Sequence, residues 1–534
     1  MVFLIRILEM NYCENLVINQ NNTPHNPAFT YLNSDKRVVS LTYSELLRLS
    51  GLAQKKLSNA GLKRGDRTLL ILSTSITFYI LLYAMLGAGI IPVIIERGLS
   101  LKKTRECLSH ARLDAMLVMP DLAKKWFILP ELWRVRRLSI GKKRLFMGFL
   151  DDISESMLDK HISAFDVTPA NDDDTALITF TSGSTGLPKG AVRTHGSLNA
   201  QSEALLKYFP EKNQHDISSF PVLALFSHYV SGSSFLLPKS EPDGTINVEL
   251  IIKHFLPKTP IRLSGSPAWI SQLTNYASQH NLYFPFVKRV IIGGAPVTQV
   301  LIEGCLKHFP RAECGINYGS TEAEPISYID MNTLLKEWSE HPGYLAGEPV
   351  EGLKVYIRPH PDLFDVLGHS DHGEILVCGP QVLKHYFENP EAERLHKITD
   401  SDGRFWHSTG DTGFLDNKGR IWLTGRVNDI IQTTSGKVIA PYILEKKLNA
   451  SPHIRICAVI QSNDNHIGVV LQKHDCIQYA YAILKDLVPN ENIDFFIVKK
   501  LPVDSRHHSR IDRKRIRIML RNKKIKPFYR ETLK

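Results

Sequence analysis

Two spacings alternate along the chain. Short runs of β-branched and other apolar residues, Thr68–Leu72, Ile90–Ile95, Ala115–Val118, Thr175–Phe180, Arg289–Ile292 and His372–Val377, predict strands. Stretches with apolar residues every three or four positions, such as Tyr43–Ala60, lie between them and predict amphipathic helices. This alternation predicts an α/β fold, parallel-rich twisted sheets with helices on both faces, in which ligands bind at the carboxyl ends of strands. One run tests that reading: Phe78–Ile95 is 18 residues without a charge, at the lower edge of a membrane-spanning helix. Gly87, Gly89 and Pro92 divide it, predicting a buried helix, Thr77–Leu86, followed by a buried strand, Ile90–Ile95. After Gly425-Arg426 the pattern restarts in a short α/β unit of about a hundred residues. The expected organisation is therefore a large domain, 1–426, and a small α+β domain, 427–534.

Composition narrows the class. With 534 residues, 43% hydrophobic and 22% charged, the chain is neither disordered nor collagen-like, and it is long enough for several cores with clefts between them. The net charge of +11 invites a nucleic-acid or membrane reading. Residues 499–534 alone hold 14 Lys/Arg against 3 Asp/Glu, so the whole excess lies in the tail and the rest of the chain balances. That distribution argues against nucleic acid. It confines any contact with anionic lipid, or with the phosphates of a partner, to Lys514, Arg515, Arg517, Arg521, Lys523, Lys524 and Lys526. Against these contacts stands the plainer reading of a solvated helix face. The seven cysteines are scattered, with no Cys-x-x-Cys pair, and fit reduced thiols in the cytoplasm better than disulfides or zinc. The apolar start MVFLIRILEM is broken by Arg6 and Glu9 and lacks a small-residue cleavage site, so it does not read as a secretory signal.

The densest chemistry follows the strand at Thr175–Phe180. Thr181-Ser182-Gly183-Ser184-Thr185-Gly186-Leu187-Pro188-Lys189-Gly190 packs three glycines, four hydroxyls and a lysine into ten residues. Glycines let backbone N–H groups converge, hydroxyls donate and lysine neutralises, which makes a cradle for polyphosphate. Pro188 stands where a Walker A loop needs glycine, so an ordinary P-loop NTPase is not indicated.

This loop resembles the signature of the adenylate-forming superfamily: acyl-CoA synthetases, nonribosomal-peptide adenylation domains and luciferases. The resemblance extends over nearly the whole chain. Leu41-Thr42-Tyr43-Ser44-Glu45-Leu46 with Gly61 and Gly65-Asp66 is similar to the family's opening, and Asn317-Tyr318-Gly319-Ser320-Thr321-Glu322 to its aromatic-Gly-x-Thr-Glu motif. Ser408-Thr409-Gly410-Asp411 resembles Thr-Gly-Asp, and Gly425-Arg426 the Gly-Arg before the hinge. The resemblance implies that a carboxylic acid and ATP give acyl-AMP and pyrophosphate, with Mg2+ and with CoA as co-substrate. Thr181, Ser182, Gly183, Ser184, Thr185, Gly186 and Lys189 would hold the phosphates, Glu322 would ligate magnesium and Thr321 would donate to the α-phosphate. Tyr318, flanked by Asn317 and Gly319, would stack on adenine, and Asp411 and Arg426 would hold the ribose. Gly294 and Ala295, in the turn Gly293–Pro296, would line the nucleotide and acyl sites. In the segment 220–229 the family places an aromatic or histidine beside the acyl group, here Phe226, His228 or Tyr229, with a core aromatic cluster as the competing reading.

The family's small C-terminal domain is mobile and rotates about a hinge, here at Asn428, where a charged residue is more usual. The loop Thr433–Lys437 would face the site in the second conformation, with Gly436 admitting a pantetheine arm, and Gln432 stands where a lysine is often found. Arg510 occupies the position of the usual catalytic lysine. Arginine keeps the charge but replaces a compact ammonium by a planar fork. The spacing Pro502-x-Asp504-x-Arg506-His507 is closer to the β-lactone synthetases of bacterial olefin synthesis. The expected substrate is an aliphatic, fatty carboxylic acid. The expected outcome is transfer to CoA or an acyl carrier protein, with β-lactone closure of a 3-hydroxy acid as the alternative. A reading of another class, a catalytically weak nucleotide-binding scaffold at the membrane, follows from Arg510.

Overall fold

The computed structural model describes residues 10–33, 35–96, 99–119, 123–151, 153, 164–181, 189–212, 214–238, 241, 244–254, 256, 261–360, 363, 372–454, 456–462, 465–504, 508–522, 524–525 and 527–532. By packing, the chain forms two units. The first is 1–240, 246–264 and 380–397; the second is 241–245, 265–379 and 398–534.

The first unit contains an eight-stranded sheet. Its strands in chain order are β1 (Arg67–Ile71), β2 (Ile91–Ile95), β3 (Ala115–Val118), β4 (Arg136–Ile140), β5 (Gly148–Leu150), β6 (Thr175–Thr181) and β7 (Lys189–Thr194), closed by the short strand Tyr386–Phe387. The order is Tyr386–Phe387, β7, β6, β2, β1, β3, β4, β5, parallel from β6 to β5. Parallel strands need crossover helices, as Ile76–Gly87 is between β1 and β2, and two helices of this unit follow directly from sequence. Helix α1 (Tyr43–Asn59) begins at a capping box, with Thr42 Oγ1 accepting from the Glu45 amide and Glu45 Oε2 accepting from the Thr42 amide at 2.8 Å. Helix α2 (Ile76–Gly87) is apolar on all sides and is buried from Tyr79 to Gly87, as expected for the divided run. Among the described residues no helix is long and apolar enough to cross a membrane.

The second unit begins with β8 (Val287–Gly293), parallel to β9 (Glu313–Ser320). From β9 onward the pairing turns antiparallel: β10 (Ala323–Asp330), then the strand Tyr344–Pro349, β13 (Ile421–Arg426), β12 (Phe405–Leu415), β11 (Gly373–Cys378) and Lys354–Pro359. Here the parallel expectation stops, because the chain reverses through short turns; Thr321 and Glu322 alone link β9 to β10. Residues 458–532 add a four-stranded sheet, with core residues such as Val459, Val469, Phe495 and Ile516 fully buried. Two helices of the second unit matter below, α3 (Pro441–Asn449) and α4 (Arg513–Arg521).

Candidate active site

The second unit gathers Asp411, Arg426, Tyr318 and Arg510. Asp411 lies in β12 at an irregularity: Glu374↔Thr412 and Leu376↔Ser408 are ladder pairs, so four residue steps on β12 oppose two on β11. The surplus residues bulge, which re-aims side chains. Gly410 takes φ +72°, the left-handed region where a side chain is strained. Buried Glu374 fixes the bulge by accepting from Ser408 Oγ and from the Gly410 amide. Thr409 Oγ1 donates to the Ile375 carbonyl and accepts from the Asp411 amide.

Both carboxylate oxygens of Asp411 are engaged. Arg426, its cross-strand neighbour on β13, places Nε 2.9 Å from Oδ1, and the Tyr318 hydroxyl of β9 donates to Oδ2 at 2.8 Å. Burial and the facing carboxylate push the Tyr318 hydroxyl well above the usual phenol range, so it remains a donor. Burial lowers the Arg426 pKa, but the combined attraction of Asp411, Tyr442, Tyr318 and Asp429 outweighs it and holds the group above its ordinary value. An ionised carboxylate oxygen keeps a second acceptor site, which leaves room for two ribose hydroxyls.

Asp504 holds the backbone at Arg510: Asp504 Oδ1 accepts from the Ser509 and Arg510 amides, and the Asp504 amide donates to the Arg510 carbonyl. Ser509 Oγ in turn accepts from the Ala268 amide. Three arginines beside it are paired. Arg426 has Asp411, Arg513 has Glu445, and Arg517 has Asp429 at 2.8 Å. Arg510 has no carboxylate at ion-pair distance among the described residues. Burial, and then the charge of Arg426, depress its pKa. One cation is thus left over, which is the condition an anionic ligand would relieve.

The turn after β8 lies beside β9. Gly293 pairs with Asn317, and a Cβ on Gly293 would come 2.9 Å from the Asn317 carbonyl oxygen, so only glycine allows this approach. Gly294 and Ala295 continue that turn next to Asn317, while Gly319 leads to Thr321 and Glu322 in the β9–β10 turn. Ser320 Oγ is buried with no hydrogen-bond partner among the described residues, an orphan of the kind a ligand satisfies. No cluster of three His, Cys, Asp or Glu side chains is arranged to hold a metal among the described residues. Magnesium brought in on phosphate oxygens needs only one or two carboxylates, and Glu322 fits that requirement.

Other expected residues fall elsewhere. Ser182, Gly183, Ser184, Thr185 and Gly186 lie outside the described residues, as does the side chain of Thr181, whose backbone pairs with Lys189. Lys189, in the first unit, has Nζ 2.6 Å from His396 Nε2 and stands over the Tyr386 ring. His228 is a core residue: Nε2 donates to the Ala28 carbonyl at 2.8 Å, so Nδ1 accepts from the Tyr83 hydroxyl at 2.6 Å, and burial lowers its pKa to about 4. Phe226 is buried beneath the Arg262 guanidinium, and the Tyr229 hydroxyl bonds Glu203. Glu374, Asp429, Glu445 and Tyr442, whose ring lies against the Arg513 guanidinium, were not anticipated, and Asp504 was read only as part of a motif. The local signal was present for one pair, since Tyr442 and Glu445 are three apart on α3 and share a helix face.

A profile of the family described as AMP-binding enzyme matches residues 17–387. The chain belongs to this family. It is an adenylate-forming ligase, in accord with its relatives. It is similar to an olefin β-lactone synthetase of Stenotrophomonas maltophilia (strain K279a), 26% identical over 523 residues that cover 90% of this chain and 91% of that one. It is also similar to a probable CoA ligase, CCL5, of Humulus lupulus, 28% identical with coverage of 80% and 77%. The structure of the amide bond synthetase McbA from Marinactinospora thermotolerans superposes with TM-score 0.76 at 20% identity, covering 95% of this chain and 99% of that one, a likeness of fold.

Proposed function

We propose that this AMP-binding enzyme activates an aliphatic, fatty carboxylic acid as its acyl-AMP in the cytoplasm. A carboxylate oxygen attacks the α-phosphorus of ATP, and the bond to pyrophosphate breaks. The observation that carries this reading is the uncompensated Arg510 guanidinium beside the Asp411–Arg426–Tyr318 cluster. In it, Asp411 and Arg426 hold the ribose, Tyr318 with Asn317, Gly319, Gly294 and Ala295 forms the adenine side, and Arg510 draws carboxylate and α-phosphate together. Thr321 donates to the α-phosphate, and Glu322 would hold Mg2+, which would supply charge neutralisation of the departing phosphates. Thr181, Ser182, Gly183, Ser184, Thr185, Gly186 and Lys189 receive the β- and γ-phosphates. Residues 427–534 serve as the mobile lid, turning about Asn428 between two half-reactions.

For the second step the reading is attack by a thiol, of CoA or of an acyl carrier protein, on the acyl carbon with loss of AMP. A second reading is supported by the Stenotrophomonas relative and by Gln432 and Arg510: the 3-hydroxyl of a β-hydroxy acid attacks its own acyl carbon, giving a β-lactone. Incubation with ATP, Mg2+ and a panel of fatty and 3-hydroxy fatty acids, with and without CoA, separates them by product mass. A CoA-dependent thioester supports the first and a CoA-independent lactone the second. Absence of acid-dependent ATP–pyrophosphate exchange across the panel would refute fatty-acid activation.

A further inference from the structure

Helix α4 divides its charges cleanly. Positions 513, 516, 517 and 520 face inward. Ile516 and Leu520 join the core, while Arg513 and Arg517 pair with Glu445 and Asp429. Positions 514, 515, 518 and 521 span about 120° of helical arc, and Lys514, Arg515, Ile518 and Arg521 are all exposed there, Ile518 at 47%. Lys524 is exposed on the turn that follows, its amide on the Met519 carbonyl. Lys514, Arg515, Arg521 and Lys524 have no carboxylate at ion-pair distance among the described residues. Phe528, seven residues beyond the helix end, is 59% exposed.

We propose that this outer face of α4 is a docking surface for an anionic lipid bilayer. The inference is independent of which acid the enzyme activates. Four unpaired cations concentrated on one helix and its turn, in a chain otherwise near electrical balance, complement a negative surface. An apolar side chain set among them favours a bilayer over a polynucleotide. The cationic stems snorkel to the headgroups while Ile518 enters the acyl boundary. Each Lys or Arg near an anionic membrane contributes about 1 kcal/mol, so binding is reversible and salt-sensitive.

The test is co-sedimentation of the full chain with vesicles of phosphatidylcholine alone or with about a third phosphatidylglycerol, each cation being expected to account for about a fivefold change in affinity. The wild type should bind only the anionic vesicles and be released by high salt. The triple variant Lys514→Glu, Arg515→Glu, Arg521→Glu should lose binding by more than about a hundredfold at unchanged melting temperature and ATP affinity. Ile518→Asp should weaken binding severalfold with every cation in place. Should the triple variant misfold, Lys514→Gln with Lys524→Gln, both on exposed positions, should still lower affinity by about twentyfold. Vesicle binding unchanged by the charge substitutions would overturn the proposal. So would tighter binding to duplex DNA or polyglutamate than to the anionic vesicles.

Discussion

Two carboxylate–arginine clusters, one in each unit, the first buried and the second half-buried, behave differently. In the first unit Asp216 faces Arg262 through two contacts of 2.5 Å, Oδ1 to Nε and Oδ2 to Nη2, and Ser227 Oγ donates to the same carboxylate. Phe226 lies against the guanidinium, and both ionic side chains are almost wholly inaccessible. One positive charge meets one negative charge, and the cluster is closed. In the second unit Asp411, Glu445 and Asp429 pair with Arg426, Arg513 and Arg517, Asp504 accepts from backbone amides, and Arg510 makes no ion pair among the described residues. A self-balanced buried pair is a scaffold; an unbalanced one is poised for an anion. Removing a cation should therefore harm the first cluster's fold and the second cluster's chemistry.

The sharpest break of this comparison is Arg262→Met. It strands the Asp216 carboxylate in the core and should cost about 3–5 kcal/mol in chemical denaturation. A loss below about 1 kcal/mol would show that the pair is not a scaffold. Arg510→Met leaves no carboxylate stranded, so its denaturation midpoint should match or exceed the wild type. Its ATP–pyrophosphate exchange should fall by about 100- to 1,000-fold. Equal destabilisation of the two variants would erase the distinction.

Acid probes the scaffold side further. His228, one residue from Ser227, titrates at about 4 in the folded chain against an ordinary 6.5. The unfolded chain therefore binds the extra proton between those values. The stability this group contributes is complete above about pH 6.5 and is lost as pH falls toward 4, by up to about 3 kcal/mol. His228→Gln should flatten the stability–pH slope in that window by about one proton. An unaltered slope would show that folding does not change proton binding at His228. The smallest effect is expected for Arg510→Lys, which keeps the charge: acyl-AMP formation should stay within about tenfold of wild type or rise. Complete loss would show that the planar fork itself is required.

Much of the fold was legible because its causes are local. The β3 strand Ala115–Val118 is where the apolar run lies, and α1 starts at Tyr43 because Thr42 and Glu45 form a cap within one turn. The divided apolar run became α2 and β2 because its glycines and proline forbid a continuous helix. The antiparallel half was less legible, since strand spacing does not reveal the direction of the partner. Within the site, Tyr318, Asp411 and Arg426 were named from motifs, but their mutual contacts were not. In the segment 220–229 three neighbouring side chains competed for one role. His228 proved to be held by Ala28 and Tyr83, residues far away in the chain.

Sequence by itself thus determined the alternation of strands and helices, the family and the residue types that chemistry requires, because periodicity and motif are properties of neighbours. Tertiary structure alone decided which charges cancel. Asp411 meets Tyr318 across 93 positions, and Arg513 meets Glu445 across 68. Those meetings depend on register, on a bulge at Gly410 and on helix packing. Only when they are made does Arg510 emerge as the arginine of this cluster that has no ion-pair partner among the described residues.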